Sequence, residues 1–260
     1  MNHQPRKRFG QNFLVDESVI HAIVRAISPR NDEHLVEIGP GQGALTRHLL
    51  HECDRLDVIE LDRDLVAYLR QKFPVEPKLH IHSGDAMKFD YSSLAGDGPL
   101  RVIGNLPYNI STPLLFHLFD YSPVIHDMHF MLQKEVVDRL CAQPGDPDYG
   151  RLSVMASYYC SMEALLDVNP ESFHPQPKII SSVVRLVPHR EKPVDIPRDV
   201  LNRVVTAAFS QRRKTLRNSL GTLFTADEIQ SAGIEPGERA ERLSLADFSR
   251  LAGLLLQKGG

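Results

Sequence analysis

The chain has few cysteines and no long apolar run. Cys53, Cys141 and Cys160 are far apart and form no C-x-x-C pair, whereas disulfide frameworks and zinc sites need paired or clustered cysteines. No histidine has a partner at metal-ligand spacing, so we expect no metal. No apolar run reaches the roughly 18 to 20 residues that span a bilayer, and the N-terminus lacks a signal-peptide core. These absences predict reduced thiols in a soluble, cytoplasmic protein.

The chain also carries little net charge. A formal charge of −3 over 260 residues argues against a protein that coats nucleic acid through bulk charge, but local clusters can still bind nucleic acid. With 42% hydrophobic residues, the chain can bury one sizeable core. We expect one large domain with a smaller appendage.

Short apolar segments alternate with helical ones over the first 140 residues. The predicted strands are Leu35–Ile38, Leu56–Ile59, Leu79–Ile81, Val102–Ile103 and Met128–Leu132. The predicted helices between them are Leu45–His51, Leu65–Phe73, Pro113–Phe119 and Glu135–Cys141. Such alternation predicts an α/β fold with a parallel sheet that is covered on both faces.

The remaining segments set the predicted domains. An amphipathic helix runs from an N-cap at Asp16 to about Ile27. After a turn-rich loop at 144–150 we expect a helix at Leu152–Met162 and strands at Ala164–Val168 and Ser182–Val187. A proline-rich linker then leads into sequence of helical character. We therefore predict an α/β domain over residues 1–188 with a basic N-terminal arm, and a small helical RNA- or ribosome-binding domain over residues 189–260.

A glycine loop lies between the first strand of this alternation and the next helix. Gly39, Gly41 and Gly43 form G-x-G-x-G, not the G-x-G-x-x-G that binds a pyrophosphate. Glu60 ends the second strand, where an acid can accept both ribose hydroxyls, and Asp85 follows the third, where it could accept from an adenine amine. Simple turn chemistry remains the alternative for the glycines alone. Together with the acids, they favour a neutral nucleoside or a sulfonium.

A second motif, Asn105-Leu106-Pro107-Tyr108, follows an apolar strand. The Asn105 side chain and the Leu106 carbonyl can accept the two hydrogens of an adenine amine, and Tyr108 can stack on the base. An ordinary Asn-Pro turn with a packed tyrosine is the alternative. Phe173, in a proline-stiffened loop, is a candidate for the opposite stacking face, although an isolated phenylalanine more often fills a core. The motif predicts transfer of a group to an extruded base.

Two basic clusters are candidates for RNA binding. Arg6, Lys7 and Arg8 precede Phe9 at the N-terminus, and a second cluster lies in a predicted helical stretch without acids, containing Arg203, Arg212, Arg213, Lys214 and Arg217. Such clusters can neutralise phosphates. A solvated helix face is the usual alternative, but the absence of acids favours RNA.

These motifs together resemble the ribosomal RNA adenine dimethyltransferases over nearly the whole chain. The residues that carry the resemblance are Gln11-Asn12-Phe13-Leu14, Glu37 with the glycine loop, Glu60, Gly84-Asp85-Ala86, Asn105-Leu106-Pro107-Tyr108, Gln133-Lys134-Glu135-Val136 and Phe173-x-Pro175-x-Pro177. The segment 208–218 resembles the bacterial KsgA type, which acts on the small subunit, more than the Erm methylases, which modify large-subunit RNA.

The resemblance implies a Rossmann-like S-adenosylmethionine methyltransferase domain with a seven-stranded sheet whose last strand is antiparallel. It implies two methyl groups on N6 of each of two adjacent adenines near the 3′ end of 16S rRNA, within the 30S subunit. By resemblance, the cofactor is contacted at Asn12, Leu14, Gly39, Glu60, Asp85 and Asn105. The base is held at Asn105, Leu106, Tyr108 and Phe173. We expect a monomer.

Two other functions remain open at this point. A DNA N6-adenine methyltransferase would share the Asn-x-Pro-Tyr chemistry but would normally add one methyl group. A ribosome-assembly factor would depend on binding to the immature small subunit more than on its chemistry, and the basic C-terminal segment permits this.

Overall fold

The computed structural model describes residues 12–96, 98–211 and 213–259, which divide into two compact units. The first unit contains the chain up to Val137 together with Met162–Pro188, and the second contains Asp138–Ser161 and the chain from His189 onward. The predicted domain boundary at 188/189 differs from this division in one segment, because Asp138–Ser161 groups with the C-terminal helices. Within the second unit, the Tyr149 hydroxyl donates to the Leu243 carbonyl at 2.7 Å. Such long-range contacts leave no local signal in the sequence.

The helices and strands follow in chain order. They are β1 (Phe13–Leu14), α1 (Glu17–Ile27), β2 (His34–Ile38), α2 (Thr46–Glu52), β3 (Arg55–Glu60), α3 (Arg63–Lys72), β4 (Leu79–Ser83), β5 (Leu100–Asn105), α4 (Ser111–Phe119), β6 (Ile125–Gln133), α5 (Lys134–Cys141), α6 (Arg151–Ser157), β7 (Cys160–Val168), β8 (Phe173–His174), β9 (Ser181–Pro188), α7 (Arg198–Ala208), α8 (Leu216–Ser219), α9 (Ala226–Ser231) and α10 (Leu245–Gly259).

One seven-stranded sheet organises the first unit, in the order β4-β3-β2-β5-β6-β9-β7. Strands β2 to β6 are parallel to one another, and β9 pairs antiparallel with β6. The predicted mostly parallel sheet with an antiparallel last strand is confirmed. The chain builds outward from β2 to β4 and then returns to add β5 on the other side of β2. In open α/β sheets, ligands bind beyond the carboxyl ends of the strands at such a reversal.

Burial explains why these segments read as apolar runs. The parallel strands are covered on both faces, so that Leu35, Val58 and Val102 at their centres are fully buried. Helix α1 begins after Asp16, whose carboxylate accepts from the backbone N–H groups of Ser18 and Val19. The predicted N-cap is therefore confirmed, and it satisfies N–H groups that a helix start leaves without partners.

The prediction of a helix over Leu152–Met162 was wrong in its second half. Helix α6 ends at Ser157, and β7 begins at Cys160. No glycine or proline marks this change, and Tyr158 and Tyr159 suit either element, so the apolar pattern could not locate it. Among the described helices, none combines the length and apolar character needed to cross a membrane.

Candidate functional site

A cavity of about 270 Å³ lies at the carboxyl ends of the central strands. Its walls come from five segments of the first unit, within residues 12–14, 37–45, 59–65, 84–86 and 105–110. Four of these segments follow or end β2, β3, β4 and β5. The sheet therefore brings together residues that are almost 100 positions apart in the chain.

The glycine loop forms one wall of this cavity and depends on left-handed backbone. Gly39, Gly41 and Gly43 have φ angles of 65°, 57° and 75°, which residues other than glycine rarely adopt. A Cβ on Gly41 would also lie 3.0 Å from the Phe13 ring. The absence of side chains therefore keeps the backbone open to a ligand and leaves room for Phe13.

Glu60 ends β3 and lies buried beside the glycine loop. Its two carboxylate oxygens accept from the backbone N–H groups of Gly41 at 3.3 Å and Asp62 at 2.8 Å. Burial raises the pKa of Glu60, although these hydrogen bonds oppose the shift. An ionised carboxylate has about four acceptor sites, so the group is held in place and can still accept from a ligand's hydroxyls.

Glu37 is a buried acid to which the sequence interpretation gave no role. It lines the cavity, and the Thr46 hydroxyl at the start of α2 donates to its carboxylate at 2.6 Å. Burial raises the pKa of Glu37 to about 7, which the Thr46 hydrogen bond opposes and the Glu60 charge reinforces. Its position at the end of a buried strand, two residues before Gly39, was the available signal.

Asp85 follows β4 and is partly buried at the cavity wall. One of its oxygens accepts from the Met87 backbone N–H at 2.9 Å. The structure thus places Asp85, Asn12 and Leu14 around the same space as the glycine loop and Glu60. The six positions assigned to the cofactor by resemblance, together with Gly41 of the glycine loop, all line this cavity, although contact with a cofactor itself stays a prediction.

Asn105 ends β5, and its side-chain amide is oriented by the backbone of Asn12, the residue just before β1. The Asn105 Nδ2 donates to the Asn12 carbonyl at 3.1 Å, so the amide oxygen is available for another donor. Leu106 is buried, and its N–H donates to the Met131 carbonyl at 3.2 Å. Tyr108 is partly buried and lines the cavity with both of these residues.

Phe173 does not line the cavity. It is 4% exposed, pairs with Leu14 between β1 and β8, and packs in the core with Met131 and Val183. The structure therefore agrees with the alternative interpretation, in which Phe173 fills the core. Its role against a base stays a prediction, and that role requires the ring to turn out of the core.

The basic clusters are placed only in part. Arg6, Lys7, Arg8 and Arg212 lie outside the described residues. The other predicted contacts, Arg213, Lys214 and Arg217, are exposed in the second unit. The expected continuous helix was wrong, because α7 ends at Ala208 and α8 begins only at Leu216. Arg213 and Lys214 thus lie in the turn between these helices.

Three side chains with metal-ligating atoms meet away from this cavity. Glu17, His21 and His48 bring their ligand atoms within 4.8 Å of one another. Arg47 is already in an ion pair with Glu17, and His48 Nε2 lies 3.3 Å from the same carboxylate. The contacts within the cluster account for its geometry, and the expectation that the protein needs no metal stays a prediction.

The charge of the cavity limits the ligands that suit it. The described lining residues include the four acids Glu37, Glu60, Asp62 and Asp85, and among them there is no lysine, arginine or histidine. Phosphates are usually bound by cations or by a helix N-terminus. An acidic, partly apolar cavity disfavours a polyphosphate and favours a nucleoside that carries positive charge.

Comparisons with known proteins agree with this chemistry. The family model described as ribosomal RNA adenine dimethylase matches residues 2–257. A protein from Methylococcus capsulatus named ribosomal RNA small subunit methyltransferase A is 61% identical, covering 97% of this chain and 98% of its own. The protein of the same name from Pseudomonas aeruginosa is 56% identical, covering 99% and 97%.

Solved structures show the same fold. A dimethyladenosine transferase from Plasmodium falciparum has a TM-score of 0.80 and 24% identity, over 95% of this chain and 98% of its own. The 23S rRNA methyltransferase ErmE has a TM-score of 0.74 and 25% identity, over 95% and 100%. The family match spans nearly the whole sequence, and the acidic cavity suits a sulfonium nucleoside. The chain therefore belongs to the ribosomal RNA adenine dimethylase family of S-adenosylmethionine-dependent methyltransferases.

Proposed function

We propose that this protein transfers methyl groups from S-adenosylmethionine to N6 of two adjacent adenines near the 3′ end of 16S rRNA in the small ribosomal subunit, giving N6,N6-dimethyladenosine. The observation that carries the proposal is the Asn105 amide, oriented by Asn12 at the wall of an acidic cavity. The names of the close relatives support the small subunit as the substrate. We further propose a cytoplasmic monomer that contributes to small-subunit biogenesis.

The cavity residues fit the methyl donor. Glu60 is held by two backbone N–H groups and has acceptor sites left for the two ribose hydroxyls. In this proposal Asp85 accepts from the adenine amine of the cofactor, and the backbone at Gly39 and Gly41, which carries no side chain, allows the ligand to approach closely. When bound, S-adenosylmethionine supplies a methyl group activated by its positive sulfur. Glu37 and Glu60 favour that charge in their ionised forms.

Asn105 and Leu106 prepare the target nitrogen. The lone pair of an adenine amine is delocalised into the ring, which makes the amine a weak nucleophile. The Asn105 amide oxygen and the Leu106 carbonyl each accept one amine hydrogen and so favour a tetrahedral nitrogen. Methyl transfer would replace the methyl–sulfur bond by the new N–C bond and leave the electron pair on sulfur, and the amine nitrogen would lose one proton to water. Alignment supplies most of the rate.

Tyr108 and Phe173 hold the base in this proposal. Tyr108 lines the cavity and offers a ring face to the adenine, and base–aromatic stacking contributes about 1–3 kcal/mol. Phe173, which the structure places in the core, would have to turn outward when RNA binds. Because Tyr108 already lines the cavity and Phe173 does not, Tyr108→Ala should weaken RNA affinity more than Phe173→Leu does.

The direct test is product analysis. The purified protein is incubated with radiolabelled S-adenosylmethionine and 30S particles that lack the modification, and the RNA is digested to nucleosides. We expect label in dimethyladenosine and little label with methylated 30S or with 50S particles as controls. Label confined to monomethyladenosine, or equal label in 50S particles, would contradict the proposal.

RNA binding is proposed for the basic residues of the second unit together with Arg6, Lys7, Arg8 and Arg212. Each lost phosphate contact should reduce the salt slope of binding by about 0.7 to 0.9. We expect Arg213→Glu/Lys214→Glu to weaken 30S binding and to leave affinity for S-adenosylmethionine unchanged. The matched control, Arg25→Glu/Arg70→Glu, reverses two exposed charges of the first unit. Equal weakening by both pairs would show a non-specific effect of charge.

A role in assembly is a second candidate, favoured by the placement of the exposed basic residues on a compact unit of their own. Glu60→Ala should abolish methylation by removing the buried acid that we propose accepts from the ribose hydroxyls. If 30S maturation proceeds in cells with this variant but fails without the protein, binding alone supports assembly. If 30S maturation fails equally in cells with Glu60→Ala and in cells without the protein, maturation requires methylation.

A further inference from the structure

A hydrogen bond links the base-binding loop to a buried point of the sheet. The Tyr108 hydroxyl and the Ser181 Oγ lie 2.8 Å apart. Tyr108 lines the cavity, whereas Ser181 is fully buried at the first residue of β9 and does not line it. The two residues are 73 positions apart, and the sequence interpretation assigned Ser181 no role.

Ser181 is held firmly by the sheet. It lies opposite Gln133 in the antiparallel pairing of β9 with β6. The neighbouring Ile180 carbonyl accepts from the Lys134 N–H at 3.0 Å. Backbone hydrogen bonds at the junction of two strands restrict the Oγ to a narrow region, and a buried hydroxyl must find a partner. Ser181 is thus a fixed anchor for whatever it bonds.

Tyr108, in contrast, belongs to a loop. Its backbone carbonyl accepts from the Ser111 hydroxyl at 3.1 Å. The Ile110 N–H donates to the Pro107 carbonyl, which closes a turn around Tyr108. These contacts hold the backbone but leave the ring free to turn about its two side-chain torsions. The hydroxyl at the far end of the ring is where a single hydrogen bond restricts both torsions most effectively.

We propose that Ser181 is a positioning residue, which fixes the plane of the Tyr108 ring so that the target adenine stacks with its amine aligned to the Asn105 oxygen. The inference rests on the proposed function, because it gives the ring a base to hold. It predicts that the hydroxyl pair contributes to the methyl-transfer step and little to binding of the donor, since Ser181 itself does not line the cavity.

The test is a double-mutant cycle on dimethyladenosine formation in 30S particles. Ser181→Ala and Tyr108→Phe each remove one end of the bond, and Tyr108→Phe keeps the stacking face. We expect each variant to lower kcat about threefold to tenfold, as loss of one neutral hydrogen bond predicts. The double variant should be no slower than either single variant. The Kd for S-adenosylmethionine, measured by calorimetry, should stay at the wild-type value.

Ser182→Ala is the matched control. Ser182 is the next residue of β9, is also buried, and its hydroxyl donates to the Leu166 carbonyl at 3.2 Å. This variant should lose thermal stability to the same extent as Ser181→Ala and keep the wild-type kcat. Equal loss of kcat in Ser181→Ala and Ser182→Ala would show a merely structural effect.

Other outcomes separate this inference from the function on which it rests. Wild-type kcat in Ser181→Ala, or losses that multiply in the double variant, would overturn the inference and leave the enzyme's function intact. Wild-type protein that forms no dimethyladenosine would overturn the function itself. If Ser181→Ala does not fold, Tyr108→Phe decides, because wild-type kcat in that variant also overturns the inference.

Discussion

A buried histidine should make this protein less stable in mild acid than at neutral pH. His129 lies in β6 with 2% of its surface exposed, and within the described residues neither ring nitrogen has a hydrogen-bond partner. Burial lowers the pKa of His129 from 6.5 to about 4; Asp127, at 3.8 Å, opposes the shift, and Arg101 and Arg185 add to it. The fold therefore accepts this ring only in its neutral form.

The sign and size of the effect follow from linkage. Because the pKa is lower in the folded state, the unfolded chain binds the proton first, and stability falls as pH falls from 6.5 through about 4. One decade in proton affinity is about 1.36 kcal/mol, so the full loss is about 3 kcal/mol. Between pH 7 and pH 5 we expect His129 alone to remove about 2 kcal/mol.

The assay is urea unfolding followed by circular dichroism at pH 7 and pH 5. His129→Leu removes the titrating ring, and this variant should lose about 2 kcal/mol less than the wild type over the same interval. His126→Gln, at an exposed position of the same strand, should behave as the wild type. The carboxylates titrate in all three proteins, so the difference between the wild type and His129→Leu reports the His129 ring together with its coupling to Asp127. An equal loss in the wild type and His129→Leu would refute the reasoning.

Three further variants test one contact of the glycine loop and two positions within the sheet. Lys72→Met removes the ammonium that donates to the Gln42 carbonyl at 2.7 Å in the glycine loop, and calorimetry should show affinity for S-adenosylmethionine weakened about twofold to tenfold. Gly104→Ala places a Cβ 2.7 Å from the Ile38 carbonyl oxygen, and urea unfolding should show a loss of about 1–3 kcal/mol. Asp57→Asn removes a buried charge that accepts from three basic partners on β2, β3 and β4, and at pH 7 the same assay should show about 1–3 kcal/mol lost.

Much of the fold could be predicted because burial leaves a direct pattern. Strands covered on both faces must be apolar throughout, and the segments around Val36, Val58 and Val102 were found for that reason. The junction of α6 and β7 was missed because Tyr158 and Tyr159 are compatible with both elements. The grouping of Asp138–Ser161 with the C-terminal helices was also missed, since contacts between distant segments have no local signature.

Part of the site could also be predicted from the sequence. Gly41 and Glu60 were identified because a glycine loop and an acid at adjacent strand ends must meet at one edge of a parallel sheet. Asn105 was identified for the chemistry of its amide after a buried strand. Glu37 and Ser181 were given no role, because their importance depends on partners at Thr46 and Tyr108 that only the folded chain brings near.

The sequence by itself determined the parallel sheet, the order of its elements and the kinds of side chain at the strand ends. These follow from periodicity and residue chemistry, which are local properties. Only the tertiary structure decided that Phe173 lies in the core, that Asn12 orients Asn105 and that Ser181 anchors Tyr108. The physical reason is that the orientation of a side chain depends on atoms far away in the chain, and packing alone brings those atoms within hydrogen-bonding distance.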